Sequence, residues 1–140
     1  MANEKYDNLT VLMTTGKLNW PGDAIVAILM TGVTFDAADV TLADSGGSRM
    51  GMVPIQQRSV SSTGSLLGGA VSFSNMPKDT DFQLLIAKDM GPGTTPSLLA
   101  FYDSDGDALP LRLKNTGTLI VRPETLQPVE DTGQGTWVTI

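Results

Sequence analysis

Asp103, Asp105 and Asp107 put three carboxylates within five residues, the densest chemical grouping in the chain. Closely spaced carboxylates can supply oxygen ligands to Ca²⁺. An EF-hand loop places its glycine after the fifth position and a Glu at the twelfth. Here Gly106 precedes the fifth position, and the twelfth residue counted from Asp103 is Lys114. The segment Asp103-Ser104-Asp105-Gly106-Asp107 also reads as a hairpin turn, with Asp capping the backbone and Gly106 taking positive φ. The turn is the reading that the spacing favours. Asp36, Asp39 and Asp44 form a second acidic group, which reads as solvated loop charge before it reads as a cation site. Glycoside chemistry needs a pair of carboxylates flanking the sugar. No such pair stands out, and aromatic residues for a sugar platform are only 6% of the chain.

Other chemistry is limited by what the chain lacks. It contains no His and no Cys. Histidine is the usual general base and metal ligand near neutral pH, and cysteine is the usual thiol nucleophile, zinc ligand and covalent staple. Ser-His-Asp and Cys-His catalysis are therefore excluded. No G-x-S-x-G elbow or G-x-x-x-x-G-K-[ST] loop occurs. Gly16-Lys17 lacks the upstream glycine, and Gly64-Ser65-Leu66-Leu67-Gly68-Gly69 reads as a strand entry. No catalytic residue, cofactor or metal is expected, and the chain reads as one that holds or binds.

Nine basic residues against fifteen acids give a net charge of −6. The basic ones are scattered, which argues against nucleic acid and against anionic membranes, since both need a basic patch. Charged residues are only 17%, below the ~25% of an ordinary soluble domain. The surface is thus sparsely charged, or hidden against other subunits. The N-terminus lacks the charged-then-apolar pattern of a signal segment. The longest apolar run, Ala24 to Met30, is far short of the roughly 20 residues that span a bilayer.

The elements that position these residues read as one domain over 1–140, mainly β, an antiparallel sandwich or barrel with one short N-terminal helix. The helix is expected over Glu4 to Thr15, with Asn3 as N-cap and Tyr6, Leu9, Leu12 and Met13 on its apolar side. Ala24 to Met30 is continuously apolar, as suits a strand buried on both faces. The polar stretch Thr34 to Ser48 reads as a structured loop. Further strands are expected at Met50 to Ser59, Gly64 to Ser74, Phe82 to Lys88, Ser97 to Tyr102, Thr118 to Arg122 and Thr136 to Ile140. Leu109, Leu111 and Leu113 alternate with polar or charged neighbours and Pro110, which gives another. Pro54 marks an edge or bulge. The inward set comprises Leu9, Leu12, Ile25, Ala27, Leu29, Phe73, Leu85, Leu99, Phe101, Leu111 and Val121.

Met50, Met52, Met76 and Met90 lie in or near loops, where flexible thioethers serve either core filling or adaptable contact surfaces. The span Met50 to Met76 is poor in charge, and its strand edges need a cover. An interface is therefore expected there, using Met50, Met52, Val53, Leu66, Leu67 and Met76, with Met90 to Pro96 beside it. Arg49, Arg58 and Lys78 would be its polar rim.

The order of motifs resembles a family. Gly16-Lys17-Leu18-Asn19-Trp20 leads into Asp23-Ala24-Ile25-Val26-Ala27-Ile28-Leu29. Then come Leu67-Gly68-Gly69-Ala70-Val71-Ser72-Phe73, Leu84-Leu85-Ile86-Ala87-Lys88-Asp89 and Leu98-Leu99-Ala100-Phe101-Tyr102-Asp103. This is similar to the small all-β virion structural proteins of tailed bacteriophages, over most of residues 4 to 122. Where such proteins often carry a Gly-Tyr-rich segment, Met50-Gly51-Met52-Val53-Pro54 stands. The resemblance implies a non-enzymatic capsid decoration protein or a tail or fibre accessory. It would be made in the host cytoplasm and built into the virion, as a homo-oligomer such as a trimer, in contact with a major capsid or tail protein. The alternative is a Ca²⁺- or carbohydrate-binding β-sandwich for receptor recognition. Asp103, Asp105 and Asp107 would then be ligands, and Trp20, Trp137 or Tyr102 would contact a sugar face.

Overall fold

The computed structural model describes residues 4–62, 64–104, 110–123 and 135–138. It is a mainly antiparallel β fold of sandwich type with one short N-terminal helix. In chain order the elements are β1 (Glu4–Lys5), α1 (Asp7–Thr14), β2 (Ile25–Thr31), α2 (Leu42–Ser45), β3 (Ser48–Pro54), β4 (Ser59–Val60), β5 (Leu66–Gly68), β6 (Val71–Met76), β7 (Gln83–Lys88), β8 (Ser97–Tyr102), β9 (Gly117–Val121) and β10 (Gly135–Val138). One sheet runs β1-β8-β7-β2-β3, a second runs β10-β5-β4, and β6 pairs with β9.

The central strands of the five-stranded sheet, β2, β7 and β8, are buried on both faces, which is why β2 and β7 read as unbroken apolar runs rather than alternations. Ile25, Ala27 and Leu29 of β2, with Leu84 and Ile86 of β7, share the larger core with Leu66, Val71, Phe73, Leu119, Val121 and Trp137 from the facing strands. Val26, Ile28 and Met30, with Leu85 and Ala87, point the other way. There they meet Tyr6, Val33, Phe35 and Leu42 from the N-terminal segment and the β2–β3 connection. The inward set is buried with the exception of Leu12, which is partly buried against the larger core. It is, however, divided between two cores, because Leu85 and Phe101 belong to the second.

Two bulges adjust this sheet. Ile86 pairs with Ala100 and Ala87 with Leu98, so Leu99 is an extra residue in β8. The insertion turns Leu99 and Ala100 to the same face. Leu29 pairs with Gly51 and Met30 with Arg49, which makes Met50 the extra residue in β3. That bulge and Pro54 both lie on the border strand, where each blunts pairing with another chain.

The helix is shorter than its pattern suggests. Asn3 lies outside the described residues, and Glu4 and Lys5 pair with Phe101 and Ala100 instead of opening the helix. An open strand border has backbone groups to satisfy, and these two residues satisfy β8. Tyr6 then stands at the N-cap position, without a side-chain cap. The β-branched residues at the C-terminal end still bond back along the helix, Thr14 Oγ1 donating to the Thr10 carbonyl at 2.9 Å.

Three other expectations are corrected. The loop before β3 contains a one-turn helix, α2, held by a capping box in which the Asp44 carboxylate accepts from the Thr41 N–H at 3.0 Å. Leu111 and Leu113 do alternate with exposed Arg112 and Lys114, but no ladder forms there. The segment is tied through the bridge Ser104–Pro110 and by Phe82 N–H to the Leu111 carbonyl at 3.0 Å. Leu109 lies outside the described residues. Within the span Met50 to Met76, β5 is covered on both sides, lying between β4 and β10, whereas β6 pairs with β9 alone.

Candidate functional site

The turn before β2 is heavily bonded by side chains from outside it. Asp23 accepts from the Asn19 N–H at 2.8 Å and pairs with Lys88 Nζ at 3.3 Å. Lys88 also donates to the Lys17 carbonyl at 2.7 Å. From the opposite side, Arg58 Nε donates to the Trp20 carbonyl at 2.8 Å and Nη1 to the Ile55 carbonyl at 2.5 Å. Its Nη2 donates to the carbonyls of Pro21, at 3.3 Å, and Asp23. Burial lowers the Arg58 pKa from its ordinary value, and the Asp23 charge opposes that shift. Arg58, expected as part of a polar rim, is half-buried and bonded to main-chain carbonyls. It is consumed by its own main chain, whereas Arg49 and Lys78 are exposed.

The Trp side chains are also structural. Trp20 is 2% exposed and donates from Nε1 to the Leu67 carbonyl at 2.8 Å. Trp137 is 3% exposed and donates to the Gly69 carbonyl at 3.0 Å. Tyr102 packs edge-on against Trp137 at 5.6 Å between ring centroids. All three rings belong to the larger core. Gly68 explains the Gly-Gly strand: a Cβ there would stand 2.6 Å from Ile55 Cγ2 and 2.9 Å from Trp137 Cδ1.

Two of the clefts on the described surface bear on the site. One, of about 210 Å³, is apolar and is lined by Met13, Leu18, Trp20, Val60, Gly64 and Leu66. The other, of about 310 Å³, is lined by Asp81, Phe82, Gln83, Asp103, Pro110 and Leu111. The second brings Asp81 and Asp103 to one cleft, a grouping that sequence spacing does not reveal because the residues come from different strand ends. Asp81 pairs there with Arg112 at 3.3 Å. Asp105 and Asp107 lie outside the described residues. Among the described residues, no three acidic side chains converge as metal ligands would.

The acidic loop is bonded to its own backbone. Asp36 Oδ1 accepts from the Ala38 N–H at 3.0 Å, and Asp44 Oδ2 accepts from the Val40 N–H at 3.1 Å. The Thr41 and Val40 N–H groups hold the Asp44 pKa below its ordinary value. Asp39 moves the other way, through desolvation and the charges of Asp36 and Asp44.

Of the expected interface residues, Met52 is exposed, and Met50, Val53, Leu67 and Met76 are half-buried. Leu66 is a correction: it is 3% exposed and belongs to the larger core. Val60 and Ile120, 47% and 44% exposed, add apolar surface that spacing did not single out. No helix among the described residues is long and apolar enough to cross a membrane. The chain matches no family model, no curated protein and no solved structure.

Proposed function

We propose that this chain is a non-enzymatic structural protein of a tailed-bacteriophage virion, a capsid decoration protein or a tail or fibre accessory. It is made in the host cytoplasm and joins copies of itself and a major capsid or tail protein. The observation that carries the reading is the resemblance, whose motifs fall on β2, the β5–β6 step, β7 and β8 of one antiparallel fold. Two features support it. The chain has no His and no Cys. Its strands also present Met52, Val60 and Ile120 to solvent, large apolar side chains of the kind that gain free energy when an assembly covers them. The net charge of −6 suits a protein partner better than nucleic acid or an anionic membrane. The pairing and bulges described above make apolar surface the better route to association than bare strand edges.

The test is mass spectrometry of purified particles from a lysate in which this chain is produced. The expected result is the chain at a fixed stoichiometry to the major capsid or tail protein. Presence in the lysate together with absence from the particles would overturn the reading.

A further inference from the structure

The connection between β2 and β3 leaves and rejoins the sheet at one point, where Thr31 pairs with Ser48. Residues 33–45 between them fold back as a strap over the second face of the five-stranded sheet. Both ends of the strap are glycine with positive φ: Gly32 at 73°, Gly46 at 69° and Gly47 at 72°. The neck is tight, since a Cβ on Gly47 would stand 2.5 Å from the Thr31 carbonyl oxygen. Only glycine absorbs large φ/ψ changes there at little cost. The strap's own apolar contribution is small: Val33, Phe35 and Leu42 cover Val26, Ile28, Met30, Leu85, Leu98 and Phe101.

Its far half is tied to β8 and α1. The Leu98 N–H donates to the Val40 carbonyl at 2.9 Å, and the Leu42 N–H to the Pro96 carbonyl at 3.0 Å. The Asp7 N–H donates to the Ala37 carbonyl at 3.0 Å, and Asn8 Nδ2 reaches the Val40 carbonyl at 3.3 Å. All of these ties meet residues outside the strap, so a strap of identical sequence from another molecule can make every one of them.

We propose that residues 33–45 are an exchangeable strap, and that two copies of this chain trade it, each covering the other's sheet face. The occupant is a second copy because the strap itself is the surface that complements this face. Exchange keeps each contact and changes only the glycine neck. Its use in an assembly rests on the repeating role proposed above, but the exchange itself does not.

The test uses disulfide trapping, and the chain's lack of Cys gives a clean background. Thr41 and Ser97 form an antiparallel bridge. The flanking bonds Leu98 to Val40 and Leu42 to Pro96 make it the non-hydrogen-bonded kind, whose side chains lie closest. Thr41→Cys chains are refolded together with Ser97→Cys chains at high concentration, and cross-linked heterodimer is read on a non-reducing gel. Thr41→Cys with Ser72→Cys, an exposed site on β6, measures chance collision. The double variant Thr41→Cys/Ser97→Cys, refolded dilute, reports whether the pair can close within one chain. A several-fold excess of heterodimer over the collision control, with closure of the double variant, is the expected result. No excess while the double variant closes overturns the exchange. Failure of the double variant to close overturns the pairing on which it stands. Neither outcome bears on whether the chain is found in particles.

Discussion

Arg58 Nε donates a hydrogen bond to the main-chain carbonyl of Trp20 at 2.8 Å. The bond joins the β3–β4 connection to the turn that precedes β2, across 38 positions of sequence. The same guanidinium reaches the carbonyls of Ile55, Pro21 and Asp23, so one planar fork fixes two irregular segments. Gln57, the residue before it, adopts a positive φ of 56°.

Arg58→Ala is expected to cost about 1.5–3 kcal/mol, the range for hydrogen bonds to a charged group. Arg58→Lys should recover only a minor part, because an ammonium cannot span the fork. Urea denaturation followed by Trp fluorescence measures both. An Arg58→Lys chain as stable as the parent would show that charge alone, and not planar geometry, holds the turn.

Gly68→Ala should destabilise by roughly 1–3 kcal/mol through overpacking. The added methyl meets Ile55 Cγ2 at 2.6 Å and the Trp137 ring at 2.9 Å. Gly64→Ala is a poor control, since its φ of 91° is strained for any side chain. Ala70→Ser, at an exposed position next to the Gly-Gly pair, is the better one and should change little. Thermal melts of the two variants give the comparison, and equal melting temperatures would contradict the packing argument.

The strands were legible where the period was strong. β2, β7 and β8 lie within one residue of their apolar runs, because burial on both faces leaves an unbroken stretch that turns must bracket. Residues whose partners are far away in sequence were not legible. Nothing near Glu4 and Lys5 says that β8 needs a border strand, so a helix pattern swallowed them. Nothing near Arg58 says that its partners are carbonyls 35 to 38 positions earlier, so it read as a surface cation. Leu66 read as available because the span around it is poor in charge, yet Val60 and Val138 pair across it on both sides. The candidate chemistry was legible only as residue types: Asp81 and Asp103 share a cleft through tertiary structure alone.

Asn8 is a buried donor that closes the border of β8. Its Nδ2 reaches the carbonyls of Leu98 at 3.1 Å and Val40 at 3.3 Å. Asn8→Asp turns this donor into a carboxylate facing two acceptors, and the loss should exceed the roughly 1–3 kcal/mol of an unsatisfied buried group. The introduced acid will have a raised folded pKa, so the variant should be least impaired below the ordinary carboxylate range and worst above it. Melts at acid and neutral pH test the sign. A variant that gains stability relative to the parent as pH rises would refute the donor assignment.

Tyr6 gives the complementary behaviour at alkaline pH. Its ring is 1% exposed and lies 5.0 Å from Phe35, and its hydroxyl has no hydrogen-bond partner among the described residues. Burial, then the charges of Asp39 and Asp36, push the phenol well above its ordinary value of 10.0. The sign follows from linkage: the folded state favours the neutral phenol, so this stability is complete below pH 10.0 and is lost as pH rises toward the raised folded value. Ultraviolet difference absorbance should show the Tyr6 phenol resisting ionisation until the fold opens. Tyr6→Phe should flatten the fall of stability above the phenol's ordinary range. At neutral pH it should cost less than about 1 kcal/mol, since no hydrogen bond to a described residue is removed. Ionisation of both tyrosines near the ordinary value, with the fold intact by circular dichroism, would mean that water reaches the Tyr6 hydroxyl and that the strap does not seal the second core.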